Sequence, residues 1–136
     1  MPSAAGTPAS LLESARALLA RSVAPYSRFR VAALLEDADS SVHPGVNVES
    51  ASYGLSICAE RNALFGALAR GASRFRRLAL VSETMRPVLP CGACRQVLLE
   101  HAPELTLVLE RPDGAPEEVR LAELLPRAFT EFRARP

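Results

Sequence analysis

The sequence predicts a three-layer α/β domain (α/β/α) whose sheet contains five strands of mixed direction. Apolar, β-branched segments alternate along the chain with segments of helical periodicity, which is typical of α/β domains. The turn-forming run at residues 111–114 (Arg-Pro-Asp-Gly) predicts that the last strand returns antiparallel to the one before it. With 136 residues, 49% of them hydrophobic and 23% charged, we expect one domain over 1–136, with residues 1–9 as a flexible N-terminus.

Helices are predicted from apolar spacing and from end signals. The first covers residues 10–23, because Ser10 and Glu13 have the spacing of a capping box and Pro25 follows. Further helices are predicted at 58–70, ended by Gly71, at 91–101, and from about Ala122 onward. Apolar runs bounded by polar or turn residues predict strands at 29–36, 77–82 and 105–110. Turn residues predict two more, at 46–50 after a turn at Pro44 and Gly45, and at 117–121 after residues 111–114.

Charge and hydropathy exclude several classes of partner. The formal net charge is +1, and acidic and basic residues are interleaved without the basic stripe of a nucleic-acid-binding protein. No apolar run approaches the roughly 20 residues that span a bilayer, and the first ten residues lack the regions of a signal peptide. We therefore expect a cytoplasmic protein that binds neither nucleic acid nor membranes.

Three cysteines stand at two predicted helix starts. Cys91 and Cys94 form a Cys-x-x-Cys pair, and Cys58 begins a separate helix. The free N–H groups and positive dipole of a helix N-terminus favour the thiolate form that zinc requires. Neither His43 nor His101 has a ligand spacing from a cysteine, so three sulfurs would leave the fourth zinc position open, as in catalytic sites.

The Cys-x-x-Cys pair alone also fits a redox pair or half of a structural zinc ribbon. Glu60 favours the catalytic interpretation, because it follows Cys58 by two residues and such positions diverge around a helix. Its carboxylate can therefore face a metal-bound water without binding the metal.

These motifs occur in the order found in a known family. They are Pro25-Tyr-Ser-Arg-Phe29, Asn47-Val-Glu49, Cys58-Ala-Glu-Arg61 and Pro90-Cys-Gly-Ala-Cys-Arg-Gln96. The sequence resembles the cytidine deaminases that act on free nucleosides, in particular their short, homotetrameric, three-cysteine branch. The resemblance extends from the first helix to Phe129 and implies hydrolysis of cytidine and deoxycytidine to uridine and deoxyuridine, in pyrimidine salvage.

The resemblance also implies how the reaction proceeds. Zinc lowers the pKa of its water, the resulting hydroxide attacks C4 of cytosine, and Glu60 shuttles protons to ring N3 and to the leaving amine. Arg61 is implied to hydrogen-bond the ligand sulfurs and to offset the charge of three thiolates.

The substrate-binding residues follow from the same resemblance. Asn47 and Glu49 lie at i and i+2 of a predicted strand and so share a face; the family assigns such a pair to the ribose 3′-hydroxyl. Phe29 is implied to pack near the pyrimidine. Tyr53 and Phe129 are implied to reach a site shared with a neighbouring subunit, although each also fits interface or core packing.

Ala32, Ser50 and Asn62 depart from the family pattern, where glycine, asparagine and threonine are usual. They leave room for a changed substrate preference. Three alternatives stay open: deamination of a cytosine-bearing antibiotic such as blasticidin S, a noncatalytic zinc-binding module, and a nucleic-acid editor. The Asn47 and Glu49 pair favours a ribose substrate, Glu60 favours catalysis, and the balanced charge disfavours an editor.

Overall fold

A computed structural model describes residues 6–132, which form a five-stranded sheet with three α-helices. None of these helices is long and apolar enough to cross a bilayer. The elements follow in this order: α1 (Pro8–Arg16), β1 (Val31–Asp37), β2 (Val42–Val46), α2 (Ala59–Ala69), β3 (Phe75–Ser82), α3 (Gly92–His101), β4 (Thr106–Glu110) and β5 (Pro116–Arg120). Short 3-10 turns lie at Leu19–Arg21, Tyr53–Leu55 and Leu121–Leu124.

The sheet has the order β2-β1-β3-β4-β5, and its strands run in mixed directions as predicted. Strand β1 pairs antiparallel with both β2 and β3, while β3 and β4 are parallel, with Leu78 opposite Leu107. Strands β4 and β5 are antiparallel, so the turn at residues 111–114 reverses the chain as the sequence indicated. The parallel pair at the centre requires the crossover that α3 supplies.

Each face of the sheet packs against helices, which gives the predicted three layers. Alternate residues of β1 face opposite sides: Ala32 and Leu34 pack with α1, whereas Ala33 and Leu35 pack with α2 and α3. Nearly continuous burial along β1, β3 and β4 is what a sheet covered on both faces requires.

The predicted first helix is correct in type and wrong in its limits. Thr7, not Ser10, is the N-cap: the Thr7 hydroxyl accepts a hydrogen bond from the Ser10 N–H at 3.1 Å, and Pro8 suits the first helical position. Helix α1 ends at Arg16, and the chain continues through the 3-10 turn Leu19–Arg21. The expected flexible segment 1–9 thus overlaps α1 at Pro8 and Ala9, while residues 1–5 lie outside the described part of the chain.

The second strand lies four residues earlier than predicted. Pro44 and Gly45 belong to β2 and form no turn; β2 is an edge strand, where proline costs no ladder hydrogen bond. The reversal before it is made by Asp37, whose carboxylate accepts the N–H groups of Asp39 and Ser41, and by Ser40 with φ 64°.

The helix predicted from about Ala122 onward is wrong. The structure has only the 3-10 turn Leu121–Leu124 there, and no helix follows it within the described residues up to Phe132. Pro126 and Arg127, which has a left-handed φ of 57°, follow this turn and interrupt helical geometry. The other elements match their predicted type, with ends moved by one or two residues.

Candidate active site

Two helix starts bring the three cysteines together. Cys58 is the N-cap of α2 and Cys91 is the N-cap of α3, while Cys94 lies in the first turn of α3 and is buried. The Cys91 sulfur accepts the Cys94 N–H at 3.5 Å. Extended backbone at each N-cap, followed at once by helix, turns these sulfurs toward the same point.

The sulfur positions fit a tetrahedral zinc ion. The Sγ–Sγ distance is 4.0 Å from Cys58 to Cys91 and 3.5 Å from Cys91 to Cys94, and all three sulfurs lie within 4.8 Å of one another. Zinc–sulfur bonds of about 2.3 Å in tetrahedral geometry separate neighbouring sulfurs by roughly 3.8 Å. Within residues 6–132 this cluster includes no histidine or carboxylate, so the donor set is three thiolates.

The histidines have other partners or positions, as their spacing indicated. His43 is buried and its Nε2 lies 2.9 Å from the Asp37 carboxylate. Its Nδ1 accepts a hydrogen bond from Arg70 at 3.0 Å. His101 lies in the last turn of α3, at the opposite end of the helix from Cys91.

Hydrogen bonds to sulfur control the charge of the cluster. The nearby Cys94 thiol and the Arg61 guanidinium lower the pKa of Cys58 to about 5, against the opposing effect of burial. The Arg61 Nη2 lies 3.4 Å from that sulfur. The same contact with Cys58, together with burial, raises the pKa of Cys94. Zinc binding requires deprotonated thiols, so metal binding at this cluster would release protons.

Glu60 is a buried carboxyl beside the cluster. It is the second residue of α2, its side chain is only 4% exposed, and burial raises its pKa to about 7. The negative charge of Cys58 adds to this rise in pKa. A hydrogen bond that the Glu60 carboxylate accepts from its own backbone N–H opposes the rise. Such a group can accept and donate protons near neutral pH.

A cleft of about 250 Å³ opens above the sulfurs. Six of the predicted site residues line it: Phe29, Asn47, Glu49, Cys58, Glu60 and Cys91. Cys94 lies beneath, and Val31, Ala59, Val88 and Leu89 contribute apolar walls. The structure thus places metal-binding, acidic and sugar-binding candidates in one cleft of small-molecule size.

Asn47 lies just past the end of β2, not on it, yet its amide has a fixed orientation. Its Oδ1 accepts the Val31 N–H at 2.9 Å and the Ser22 hydroxyl, and its Nδ2 donates to the Phe29 carbonyl at 2.7 Å. Val48 bridges to Val23 and Ile57, so the chain stays extended and Asn47 and Glu49 keep a common face.

The backbone N–H groups of Tyr26 and Ser27 hold the Glu49 carboxylate. They donate to Oε1 at 2.9 and 3.0 Å, and the Ser27 hydroxyl donates to Oε2. These bonds, led by that of the Ser27 side chain, lower the pKa of Glu49. Glu49 is therefore ionised and accepts hydrogen bonds at the mouth of the cleft.

Tyr53 and Phe129 do not enter the cleft of their own chain. The Tyr53 ring is 74% exposed and packs edge-on against Tyr26 at a centroid distance of 5.8 Å. Phe129 is 66% exposed, and its carbonyl accepts a hydrogen bond from the Gln96 side chain.

The three departures from the family pattern lie outside the cleft lining. Ala32 is fully buried in β1. The Asn62 amide donates to the Val46 carbonyl at 2.9 Å and so ties α2 to the end of β2. The Ser50 N–H donates to the Ser56 hydroxyl at 3.0 Å.

Sequence reasoning missed the supporting residues of the cleft. Ser22 and Ser27 orient Asn47 and Glu49, and Val88 closes one wall. Ser27 lies within the Pro25–Phe29 motif, whose turn composition is a local signal. Ser22 and Val88 have no such signal, because only the tertiary fold brings them to the site.

The fold and the sulfur cluster define an α/β domain with a metal site between two helix starts. Residues 7–109 match the family model described as the cytidine and deoxycytidylate deaminase zinc-binding region, and the chain belongs to that family. It is 52% identical to a cytidine deaminase of Halalkalibacterium halodurans over 107 residues, which cover 78% of this chain and 81% of that protein. A cytidine deaminase of Mycobacterium tuberculosis is 43% identical over 105 residues, covering 77% and 76% of the two chains.

A solved structure shows the same fold. The crystal structure of cytidine deaminase from Burkholderia pseudomallei superposes with a TM-score of 0.86 at 47% identity, covering 91% of this chain and all (100%) of that one.

Proposed function

We propose that the protein hydrolytically deaminates cytidine and deoxycytidine to uridine and deoxyuridine, with zinc held by Cys58, Cys91 and Cys94. The observation that carries this proposal is the buried Glu60 carboxyl, which shares one cleft with the thiolate cluster. Membership of the zinc-binding deaminase family supports the metal. The three sulfur positions support the same choice, because soft thiolate donors in tetrahedral spacing suit zinc.

Zinc in this site supplies Lewis-acid activation of a water molecule. Glu60 takes a proton from the attacking water and delivers it to ring N3 as the oxygen bonds to C4. It then takes the remaining proton from the new C4 hydroxyl and transfers it to the 4-amino group, which leaves as ammonia while C4 becomes a carbonyl. One water is consumed and one ammonia released. The raised pKa of Glu60, about 7, suits a group that must accept and donate in turn.

Arg61 offsets the negative charge of the cluster. Three thiolates and one divalent ion carry a net charge of −1, which weakens Lewis acidity. The Arg61 contact to the Cys58 sulfur draws electron density from that ligand, and both helix N-termini act in the same direction.

The cleft suits a nucleoside better than a nucleotide. Asn47 and Glu49 present a donor and an ionised acceptor for the 3′-hydroxyl of a ribose, and Phe29 offers an aromatic face to the pyrimidine. Among residues 6–132, those that line the cleft include the acids Glu49 and Glu60 and no arginine or lysine. A 5′-phosphate would therefore gain no cationic partner from this lining.

The proposal includes a homotetramer in which Tyr53 and Phe129 complete neighbouring sites. Both rings are exposed, and Leu55 (76% exposed) and Phe132 (80% exposed) add apolar surface. Large exposed apolar side chains of this kind are typical of interaction surfaces. We place the reaction in the cytoplasm and, as the sequence resemblance implies, in pyrimidine salvage.

A comparison of four substrates tests the proposal. The zinc-loaded protein is incubated separately with cytidine, deoxycytidine, cytidine 5′-monophosphate and blasticidin S, while ammonia and the ultraviolet spectrum are followed. We expect both nucleosides to be deaminated and to exceed the monophosphate in kcat/KM. Faster turnover of blasticidin S would favour the antibiotic alternative, and folded, zinc-bound protein that releases no ammonia would favour a noncatalytic module.

A further inference from the structure

Ser27 touches two of the elements that form the substrate cleft. Its hydroxyl donates to Oε2 of Glu49 and accepts the N–H of Phe29 at 3.0 Å. Its own backbone N–H donates to Oε1 of Glu49 at 3.0 Å. One residue therefore holds the carboxylate at the sugar end and the backbone of the aromatic residue at the base end.

The bonds of the Ser27 hydroxyl are already used within the protein. A serine hydroxyl has one hydrogen to donate, and that hydrogen goes to Glu49. Ser27 does not line the 250 Å³ cleft; it lines a second pocket that shares Glu49 and Ser56 with the cleft. Its effect on a substrate in the cleft is therefore transmitted through Glu49 and Phe29.

The turn that presents Ser27 is held by its own backbone. The Arg28 N–H donates to the Ala24 carbonyl at 3.0 Å, and Arg28 has the left-handed φ of 56°. Ser27 itself is exposed, so removing its hydroxyl leaves no buried cavity. Its loss would instead free Oε2 of Glu49, the oxygen that has no backbone donor.

We propose that Ser27 is a positioning residue that fixes the Glu49 carboxylate for the 3′-hydroxyl and thereby sets selection for substrates with a free 3′-hydroxyl. This inference rests on the proposed nucleoside deaminase function. Glu49 is a flexible, partly exposed side chain, and ordering it in advance removes an entropic cost from substrate binding. Because the same hydroxyl also accepts the Phe29 N–H, we expect it to have a smaller effect on binding of the base.

The test uses two substrates that differ only at the 3′-position, 2′-deoxycytidine and 2′,3′-dideoxycytidine. We expect Ser27→Ala to raise KM for 2′-deoxycytidine about 5-fold more than KM for the dideoxy compound, the size expected for one hydrogen bond. The value of kcat should change by less than about 2-fold, since the hydroxyl does not touch the reacting atoms. Ser27→Thr, which keeps the hydroxyl, should restore the wild-type ratio.

Two further variants test whether Ser27 affects substrate selection through the Glu49 carboxylate. In a Glu49→Gln background, Ser27→Ala should no longer change the ratio of the two KM values, because the acceptor is already altered. Ser73→Ala, an exposed serine remote from the cleft, should behave as wild type. Glu49→Gln alone should reduce discrimination between the two nucleosides, which keeps the test decisive if Ser27→Ala folds poorly.

Equal KM changes for the two substrates, or no rescue by Ser27→Thr, would overturn the role of Ser27 while the proposed function stands. Undiminished discrimination in Glu49→Gln would do the same. A zinc-loaded wild-type protein that deaminates neither nucleoside would overturn the proposed function and this inference together.

Discussion

The two ends of the cleft are built differently. The metal end consists of side chains at the starts of α2 and α3, and Cys94 and Glu60 there are buried. The recognition end consists of Phe29, Asn47 and Glu49, which lie outside the regular strands and are only partly buried. Its two candidate aromatic residues, Tyr53 and Phe129, are exposed and do not line the cleft of their own chain.

This difference indicates that one chain contains the proposed chemical apparatus, whereas the proposed substrate recognition relies on loop residues and on aromatic residues of the proposed neighbouring subunits. A helix start fixes a thiolate through backbone geometry and dipole at once. A loop side chain needs separate support, which Asn47 obtains from Ser22 and Glu49 from Ser27. Changes at the metal end should therefore abolish activity, and changes at the recognition end should mainly affect KM.

The largest effect is expected at the metal end. Cys58→Ala removes one of three sulfurs, so the variant should lose zinc, from about one ion per chain, and with it all measurable deamination. Elemental analysis and the ammonia assay measure the two properties in parallel. Ser56→Ala, which changes a cleft residue without touching sulfur, is the matched control and should retain zinc. A zinc-loaded, active Cys58→Ala protein would remove Cys58 from the ligand set.

A smaller effect is expected at the recognition end. Sedimentation should show a tetramer, and Phe129→Ala should raise KM about 5-fold through loss of one aromatic contact while zinc content stays constant. Thr130→Ala changes the exposed neighbour of Phe129 without removing an aromatic side chain and should leave KM unchanged. A fully active monomer, or unchanged kinetics in Phe129→Ala, would contradict a shared site.

An effect on stability, and not on zinc content or KM, is expected where β2 supports α2. A Cβ on Gly45 would lie 2.3 Å from the Ala59 carbonyl oxygen and 2.5 Å from the Ala63 nitrogen, so the helix that carries Glu60 would have to move. Gly45→Ala should lower the free energy of unfolding by about 1–3 kcal/mol, the usual cost of overpacking. Denaturant titration measures it, with Gly54→Ala, whose Cβ meets open space, as the control. Equal stabilities of the two variants would show that this close contact is not required.

Features set by local sequence could be predicted, whereas features set by the tertiary fold could not. Periodicity and turn signals predicted the three layers, the mixed sheet and the helix starts at Cys58 and Cys91, because these signals are local. The second strand is predicted four residues too late because Pro44 and Gly45 have the composition of a turn. A strand tolerates Pro44 because β2 is at the edge of the sheet, which the sequence does not reveal. The first helix was misplaced because Ser10 and Glu13 match a capping box, whereas Thr7 makes the cap.

The site divides in the same way. A sulfur pair with fixed spacing and a carboxylate two residues after a third sulfur are readable from sequence. The contacts of Ser22 with Asn47, over 25 positions, and of Ser27 with Glu49, over 22, depend on the turn around Arg28 and on tertiary structure. The resemblance supplied the roles of Phe29, Tyr53 and Phe129, for which periodicity alone favours ordinary packing.

Zinc content and turnover of Glu60→Gln test whether Glu60 transfers protons beside the three-thiolate site or binds the metal. The substitution keeps the shape of the buried side chain but cannot transfer protons in both directions. We expect it to retain zinc and fold, and to lose about 10²- to 10⁴-fold in kcat with substrate binding preserved. Near-normal turnover, or loss of zinc such as we expect for Cys58→Ala, would contradict the assignment of Glu60 as the proton shuttle beside a three-thiolate zinc site.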